Sequence, residues 1–382
     1  MAKKTIVILG GGVGGLVAVN ELNKYLGGKT NLIVIDKSSR HIFAPSLLWL
    51  MLDLRKPEGI CKELGLLESK GIRVINADIN RIDLEKKIVN TSKEDVGYDY
   101  LVISLGAELN PDAIPGFKES AYNLYTLEGA AKLRDALKGF SGGKVAILIS
   151  SMPYKCPAAP YESALLIDYY LRKRNLRNVS DIQIYTSEPL PMPTAGSAIG
   201  NAIKDILASR GIGFNPNTKA ISINKEQIIF EGGKIHGFDL LIGIPAHKAP
   251  QVVKDAGLVG ESGWIPVDKG TLKTRYENVY AIGDVTGIKL ANGKMLPNAG
   301  VFAHYQAEVV AKNITSEITG NKPEAIFNGK GYCFLELGYG KSGFASGHFY
   351  AEPDPVVNMK KPGFFWHLGK IAFEKYWLWK WF

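Results

Sequence analysis

The chain begins with an apolar strand and an amphipathic helix, and the same order recurs near its middle. Residues 5–9 form a short apolar run, and apolar positions at Leu16, Val19 and Leu22 then repeat with a helical period. Residues 144–150 are a second apolar run, followed by another helical pattern and another strand. Because strands that alternate with helices favour parallel sheets covered by helices, we expect an α/β protein with two such units.

The order of these units indicates that the first domain is interrupted by the second. Within the first part, residues 43–54 are apolar and predict one core-covering helix despite Pro45, and Cys61 follows as a small buried residue on a predicted helical stretch. We expect three regions along the chain: a first domain at residues 1–110 and 240–325, a second at 111–239, and a C-terminal segment at 326–382.

Three glycines between the first strand and the first helix have the spacing of a dinucleotide-binding turn. Gly10, Gly12 and Gly15 read G-x-G-x-x-G, and the next predicted strand ends at Asp36. Glycines let backbone amides at a helix N-terminus approach a pyrophosphate, and an acid at the strand end can accept a hydrogen bond from a ribose hydroxyl. We therefore expect a Rossmann-like site that takes FAD or NAD rather than NADP.

The corresponding turn of the second unit carries a thiol where a nucleotide site would have glycines. Residues 150–162 read SSMPYKCPAAPYE, with Cys156 at the centre and Glu162 near the start of the predicted helix. Proline has no amide N–H for a phosphate, so we expect no pyrophosphate here. Cys156 is either a redox thiol or an incidental buried cysteine in a stiff loop. Glu162 is either a proton carrier or an acid that the helix dipole stabilises.

Composition and charge narrow the class of protein. Hydrophobic residues make up 46% and charged residues 22% of the 382 positions, as in ordinary globular chains. The net charge of +9 allows an acidic partner, and without a nucleic-acid-binding motif we expect no nucleic acid and favour an anionic membrane surface. The apolar run at residues 6–10 is too short for a signal peptide, so we expect a peripheral protein on the cytoplasmic side of the cell membrane. Three cysteines favour a catalytic over a structural disulfide.

Residues 364–382 form an aromatic and basic stretch. They contain nine aromatic residues, interleaved with Lys370, Lys375 and Lys380. Tryptophan and tyrosine favour the headgroup level and lysine favours anionic lipid, so we expect a helix that lies in the membrane surface, apart from the catalytic residues. The alternative is an aromatic helix packed on the protein body or on a neighbouring subunit. On a helix one face would carry Phe365, Leu368, Ala372, Tyr376 and Trp379.

Two further motifs resemble those of the flavoprotein disulfide reductase superfamily. Residues 274–284 read TRYENVYAIGD and end at Asp284, which matches the acid that binds the ribityl chain of the flavin in that superfamily. Residues 104–106 match its strand motif. The resemblance implies FAD, bound non-covalently because no cysteine lies near Phe43. The implied cofactor-binding residues are Gly10, Gly12, Gly15, Asp36, Lys37, Gly106, Gly283, Asp284 and Gly300.

Within that superfamily, the chain resembles the sulfide:quinone oxidoreductases and the related sulfide dehydrogenase flavoprotein subunits. The resemblance implies a redox disulfide between Cys156 and Cys333, with Cys333 nearer the flavin and Cys156 holding the sulfur. Glu162 is the candidate proton carrier beside these cysteines, and Phe334 and Phe344 are the candidate quinone residues. The stretches that carry the resemblance are CPAAPYE at 156–162, PNAGVFAHYQAE at 297–308 and GYCFLELGYGKSGF at 331–344.

The implied activity is oxidation of sulfide to sulfane sulfur or polysulfide, with electrons passed to a membrane quinone. No metal is expected, and a homo-oligomer is left open. The chain departs from the family at Tyr125, where many members have a third cysteine, and at Asn298, where a lysine near the flavin is common. Three alternatives stay open: a sulfide dehydrogenase flavoprotein that donates to cytochrome c, a type II NADH:quinone oxidoreductase, and a non-enzymatic flavin redox sensor.

Overall fold

The structure, a computed structural model, describes residues 3–382, and two five-stranded parallel sheets form its centre. Their central strands are apolar and buried on both faces, as parallel sheets with helices on both sides require. The predicted α/β class is thereby confirmed. The first sheet has the order Val279–Ala281, Tyr100–Ile103, Lys4–Leu9, Thr30–Asp36 and Arg73–Asn76. The second has the order Tyr122–Asn123, Leu240–Ile244, Gly143–Ile149, Ser180–Thr186 and Ile212–Asn215.

Helices connect the strands and bury their apolar sides against the sheets. The first helix, Val13–Leu26, packs against the helix Gly300–Ile318, and side chains of both helices share one buried cluster. The other longer helices are Leu127–Gly139, Ala159–Lys173, Ser197–Ser209 and Phe364–Lys380, and the shorter ones are Leu47–Leu50, Phe117–Ser120 and Gln251–Asp255. Throughout residues 3–382, every helix falls short of the length and apolar character needed to cross a bilayer.

Smaller sheets complete the fold, and all of them are antiparallel except the parallel pair Ile265–Pro266 with Thr286–Gly287. An antiparallel strand pair, Glu108–Asn110 with Ala246–Lys248, lies where the chain passes between the two domains in each direction. The C-terminal sheet consists of Lys330–Gly338, Lys341–His348 and Val356–Gly363. It packs on the helix Ala159–Lys173 and carries the C-terminal helix, Phe364–Lys380. The remaining strands pair as Ile79–Asp83, Ile88–Thr91 and Asp95–Gly97; Ala220–Ile223, Gln227–Phe230 and Ile235–Gly237; Arg40–Ile42 with Cys61–Glu63; and Ile265–Pro266 with Thr286–Gly287.

Three expectations from the sequence are corrected. The strand Leu240–Ile244 pairs with Gly143–Ile149, so the second domain extends past the boundary expected at residue 240. Residues 43–54 do not form one helix: a 3₁₀ turn containing Pro45 precedes the single turn Leu47–Leu50, because proline cannot donate to a helical ladder. Cys61 begins a strand paired with Arg40–Ile42 instead of lying on a helix, and it is half-buried.

Candidate functional site

A large cavity lies where the loops at the carboxyl ends of both parallel sheets converge. Its volume is about 1460 Å³, larger than the roughly 300–1,000 Å³ of sites for drug-sized ligands, so it has room for a cofactor and a substrate together. Ligands of open α/β sheets bind at this position, outside the carboxyl ends of the strands. The C-terminal sheet and C-terminal helix close the cavity, contributing Tyr332, Cys333, Phe334, Lys370, Phe373 and Trp377.

The glycine turn fits a dinucleotide pyrophosphate. A side chain at Gly12 would project into open space, whereas one at Gly10 would meet the Ser104 carbonyl oxygen at 2.4 Å. The first helix begins directly afterwards without a side-chain cap, so its N-terminal amides are free to bind an anion. Gly15 does not reach the cavity wall: a Cβ there would meet the Gly10 carbonyl oxygen at 1.8 Å. Its role is therefore close packing of the helix on the strand.

The expected ribose acid lies beside this turn. The Asp36 carboxylate accepts hydrogen bonds from the backbone amides of Gly11 at 2.6 Å and Ser38 at 2.7 Å. These bonds fix the carboxylate at the end of its strand, where it lines the cavity together with Lys37. Gly106 lines the same wall with a positive φ of 66°, a conformation that favours glycine. All three residues line the cavity, and their binding of a cofactor stays a prediction.

The second cofactor motif also borders the cavity. Gly283, Asp284 and Gly300 all border the cavity, and the helix Gly300–Ile318 starts there without a side-chain cap. Burial raises the pKa of Asp284 to about 6, against the opposing effect of Lys155. The side-chain amide nitrogen of Asn298 is buried without a hydrogen-bond partner within the described chain. An orphan donor beside a helix N-terminus suits the polar edge of a bound flavin.

Lys155 is a cavity residue that the sequence analysis missed. Its backbone forms an isolated β-bridge with Asn298, and its Nζ lies 5.4 Å from the centroid of the Tyr125 ring. Burial lowers the pKa of Lys155, and the Asp284 carboxylate opposes that shift. Lys155 thus brings an amine to the cavity wall next to Asn298. Lys155 directly precedes Cys156 in the sequence, and this position was the signal that could have identified it as a cavity residue.

Cys156 occupies a constrained position on the cavity wall. Its φ is 52°, its amide donates to the Asn298 carbonyl at 2.7 Å, and its own carbonyl accepts from the Ala159 amide at 2.9 Å. Burial, followed by the charge of Glu162, raises the pKa of the Cys156 thiol to about 12, whereas Lys370 acts to lower it. Lys370 is the largest of the influences that favour the Cys156 thiolate.

Cys333 reaches the same cavity from the strand Lys330–Gly338. Its Sγ–H donates to the Phe334 carbonyl at 3.1 Å. Burial raises its thiol pKa well above the ordinary value, and the nearby Cys156 and Glu162 raise it further, so the fold brings the two cysteines together. Both are free thiols in this structure, as is Cys61, which lies outside the cavity. Of the expected quinone residues, Phe334 lines the cavity, whereas Phe344 lies behind it, stacked on Trp366 with ring centroids 4.5 Å apart.

Glu162 and Lys370 form a buried ion pair beside the cysteines. Glu162 is in the first turn of its helix and accepts hydrogen bonds from Lys370 Nζ at 3.0 Å and from the Glu336 amide at 2.8 Å. Burial would lower the pKa of Lys370, but the carboxylates of Glu162 and Glu336 raise it above the ordinary value. Lys370 thus remains charged within reach of both thiols. Glu336 contacts His367, which is 22% exposed, at 3.0 Å.

The expectation that Lys370 faces lipid is therefore wrong, and so is the separation of the C-terminal helix from the catalytic residues. Lys370 is 3% exposed and Glu374 is fully buried. The Glu374 carboxylate forms an ion pair with Arg55 Nε at 2.9 Å. The inner face of the helix carries Lys370, Glu374 and Trp377, which are four and three residues apart. This pattern is present in the sequence, but the expectation assumed that charged positions are solvated. The predicted outer face is exposed, at Phe365, Leu368, Ala372, Tyr376 and Trp379.

An acid follows the second strand of the second domain, and protein hydroxyl groups hold it in place. Glu188, two residues after the strand Ser180–Thr186, is 1% exposed and accepts hydrogen bonds from the hydroxyls of Tyr154, Tyr161 and Thr186. Burial raises the pKa of Glu188, and the bond from Tyr161 opposes that shift. An acid after the second strand of a Rossmann unit ordinarily binds a nucleotide ribose, but this one is already occupied.

Comparison with known proteins agrees with this geometry. The chain is 29% identical over 402 residues to the sulfide-quinone reductase of Aquifex aeolicus (strain VF5), covering 99% of this chain and 91% of that protein. It is 26% identical over 366 residues to the mitochondrial sulfide:quinone oxidoreductase of Mus musculus, covering 91% and 79%. The solved sulfide:quinone oxidoreductase from Aquifex aeolicus superposes with a TM-score of 0.90 at 27% identity, covering 99% of this chain and 91% of that one.

The resemblance to sulfide:quinone oxidoreductases, inferred from the sequence, is thereby confirmed. The family model described as pyridine nucleotide-disulphide oxidoreductase matches residues 4–307, which include both glycine-rich and acidic cofactor motifs and Cys156. The chain belongs to the pyridine nucleotide-disulphide oxidoreductase family.

Proposed function

We propose that this protein is a membrane-associated FAD enzyme that oxidises sulfide and passes the electrons to a quinone. The observation that carries the proposal is the convergence of Cys156 and Cys333 on the cavity that also contains the dinucleotide turn. Gly12, Asp36 and Asp284 would hold the FAD. Its binding would be non-covalent, because the two cysteines that border the cavity, Cys156 and Cys333, take part in the sulfur chemistry. When bound, FAD supplies the two-electron carrier between the thiols and the quinone.

The sulfur chemistry runs through a disulfide between Cys156 and Cys333. Hydrosulfide attacks Cys156, so that the bond between the two cysteine sulfurs breaks and a persulfide forms on Cys156 with a thiolate on Cys333. A second hydrosulfide removes the outer sulfur as the hydrodisulfide anion, which leaves one thiol and one thiolate. Loss of their electron pair and one proton to the acceptor restores the disulfide. The net change is two hydrosulfide ions to one hydrodisulfide ion, one proton and two electrons.

Lys370 and Glu162 support these steps electrostatically. Lys370 lowers the pKa of both cysteine thiols, and a leaving thiol of lower pKa departs faster. Glu162 holds Lys370 in place through the 3.0 Å bond, and of the carboxylates it has the largest effect on the Cys156 thiol pKa, so it is the candidate acceptor of a proton released there. Both earlier interpretations of Glu162 are therefore compatible, because it is a first-turn acid that also faces the reacting sulfurs.

The outer face of the C-terminal helix supports a membrane quinone as the acceptor. Phe365 is 85% and Trp379 is 76% exposed, which is unusual for large aromatic side chains outside an interaction surface. The inner face of the same helix borders the cavity at Lys370 and Phe373, across from Phe334. A helix that lies in the membrane surface would thus place lipid next to this aromatic wall, and the protein would be peripheral to the membrane. A water-soluble cytochrome would need no such face.

NADH is disfavoured as the electron donor. Pro153 and Pro157 remove amide donors from the second turn, and Glu188 is engaged by Tyr154 and Tyr161. The discriminating experiment is an anaerobic comparison of sulfide and NADH as reductants of the bound flavin, followed by addition of a quinone. Sulfide should bleach the flavin and quinone should restore its colour. Rapid bleaching by NADH would support a type II NADH:quinone oxidoreductase, and bleaching by neither would leave a redox sensor.

A further inference from the structure

A buried histidine links the C-terminal helix to the dinucleotide-binding turn. His41 is 2% exposed and lies in the strand Arg40–Ile42, between these two parts of the protein. The Trp377 indole nitrogen lies 3.0 Å from His41 Nε2, and His41 Nδ1 lies 2.9 Å from the Gly11 carbonyl oxygen. The Gly11 amide in turn donates to Asp36. The proposed sulfide and quinone chemistry does not use His41.

The two contacts fix the tautomer of this histidine. An indole nitrogen can only donate, so Nε2 of His41 must accept the bond from Trp377. The ring proton then lies on Nδ1 and is donated to the Gly11 carbonyl. Burial lowers the pKa of His41, which is consistent with a neutral ring. The Gly11 carbonyl can only accept, so both contacts select the same tautomer, and without Trp377 the form that cannot donate to Gly11 would be less strongly excluded.

We propose that His41 is a positioning residue for the dinucleotide-binding turn and that Trp377 holds it in the required tautomer. The turn itself is short of side-chain support, since Gly10, Gly11 and Gly12 follow one another. A fixed Gly11 carbonyl keeps the peptide units around Gly12 oriented toward the pyrophosphate. The C-terminal helix therefore contributes to FAD retention as well as to the thiol site. This inference rests on the proposed FAD site.

Further contacts tie the same end of the helix to the first domain. The Trp381 carbonyl accepts hydrogen bonds from Asn20 of the first helix at 3.2 Å and from Lys70 Nζ at 3.0 Å. The first helix starts at the dinucleotide turn, so its position and that of the C-terminal helix depend on each other. Docking of the C-terminal helix thus restrains the turn from two sides.

The test is the FAD dissociation constant of the full-length protein, measured from the fluorescence of released flavin. Trp377→Phe keeps the aromatic packing and removes the N–H, and it should weaken FAD binding about five- to tenfold. Trp379→Phe is the matched control on the exposed face and should have no effect. His41→Asn should bind FAD within about threefold of the wild type, because its amide N–H can donate to Gly11 without a choice of tautomer.

The decisive comparison is Trp377→Phe made in the His41→Asn background. If Trp377 acts through the tautomer of His41, the second change should be nearly silent there. An equal loss of FAD affinity in both backgrounds, or no loss in Trp377→Phe alone, would overturn the inference. Failure of the wild type to bind FAD would overturn the proposed function as well. Normal FAD affinity in every variant, with sulfide still reducing the flavin, would overturn the role of His41 alone.

Discussion

Removing the charge of Lys370 should damage both stability and chemistry, and the two effects can be separated. The side chains of Lys370 and Glu162 are 4% and 3% exposed, so Lys370→Met leaves a buried carboxylate whose remaining partner is the Glu336 amide. Removal of one member of a buried pair costs about 3–5 kcal/mol of unfolding free energy. Removal of both charges is often neutral, so Lys370→Met with Glu162→Gln should recover most of that loss.

The chemistry should not recover in the double variant. Lys370→Met removes the main charge that lowers the Cys156 thiol pKa, and Glu162→Gln removes the proposed proton carrier, so flavin reduction by sulfide should be slowed at least tenfold in both variants. Denaturant unfolding measures the first effect, and anaerobic stopped-flow absorbance of the flavin measures the second. Lys370→Arg, which keeps the charge, is the matched control. Wild-type stability together with a wild-type rate in Lys370→Met would refute the assigned role of the ion pair.

Three other predictions concern separate parts of the protein. Cys156→Ser should abolish flavin reduction by sulfide while FAD stays bound, and Cys61→Ser should change the rate by less than about twofold, because Cys61 lies outside the cavity; turnover measurements with both variants check this. Phe365→Ser combined with Trp379→Ser should weaken binding to anionic liposomes by at least roughly 100-fold, at about 1.5–3 kcal/mol for each buried ring, and co-sedimentation measures this loss. Unchanged sedimentation would favour a packing role for that face. Lys155→Met should lower the midpoint potential of the flavin, measured by dye-coupled titration, because a cation near the cofactor favours its reduced, anionic form; a raised potential would contradict that placement.

The cofactor motifs could be predicted because their chemistry is local. Gly10, Gly12 and Asp36 lie within one strand–helix–strand unit, so their spacing in the sequence also fixes their spacing in the structure. Periodicity likewise identified the exposed face of the C-terminal helix. The two thiols are 177 positions apart and could be paired only through a family resemblance, because apolar patterning does not state which strand approaches which turn.

What the sequence did not reveal depends on docking between distant segments. Lys370 meets Glu162 across 208 positions, and Trp377 meets His41 across 336. Lysine is rarely buried, so the rule that charged side chains are solvated assigned the lysine of this helix to the wrong side. The strand Leu240–Ile244 is equally apolar in either sheet, and only its pairing with Gly143–Ile149 assigns it to the second domain.

An anaerobic sulfide titration of the FAD-loaded protein tests the central claim most directly. In the wild type, sulfide that supplies two electrons per flavin should bleach the flavin. Both Cys156→Ser and Cys333→Ser should retain FAD but resist bleaching by sulfide. Chemical reduction with dithionite provides the control that the flavin in each variant remains reducible. Bleaching by sulfide at the wild-type rate in either serine variant would contradict a disulfide mechanism at this cavity.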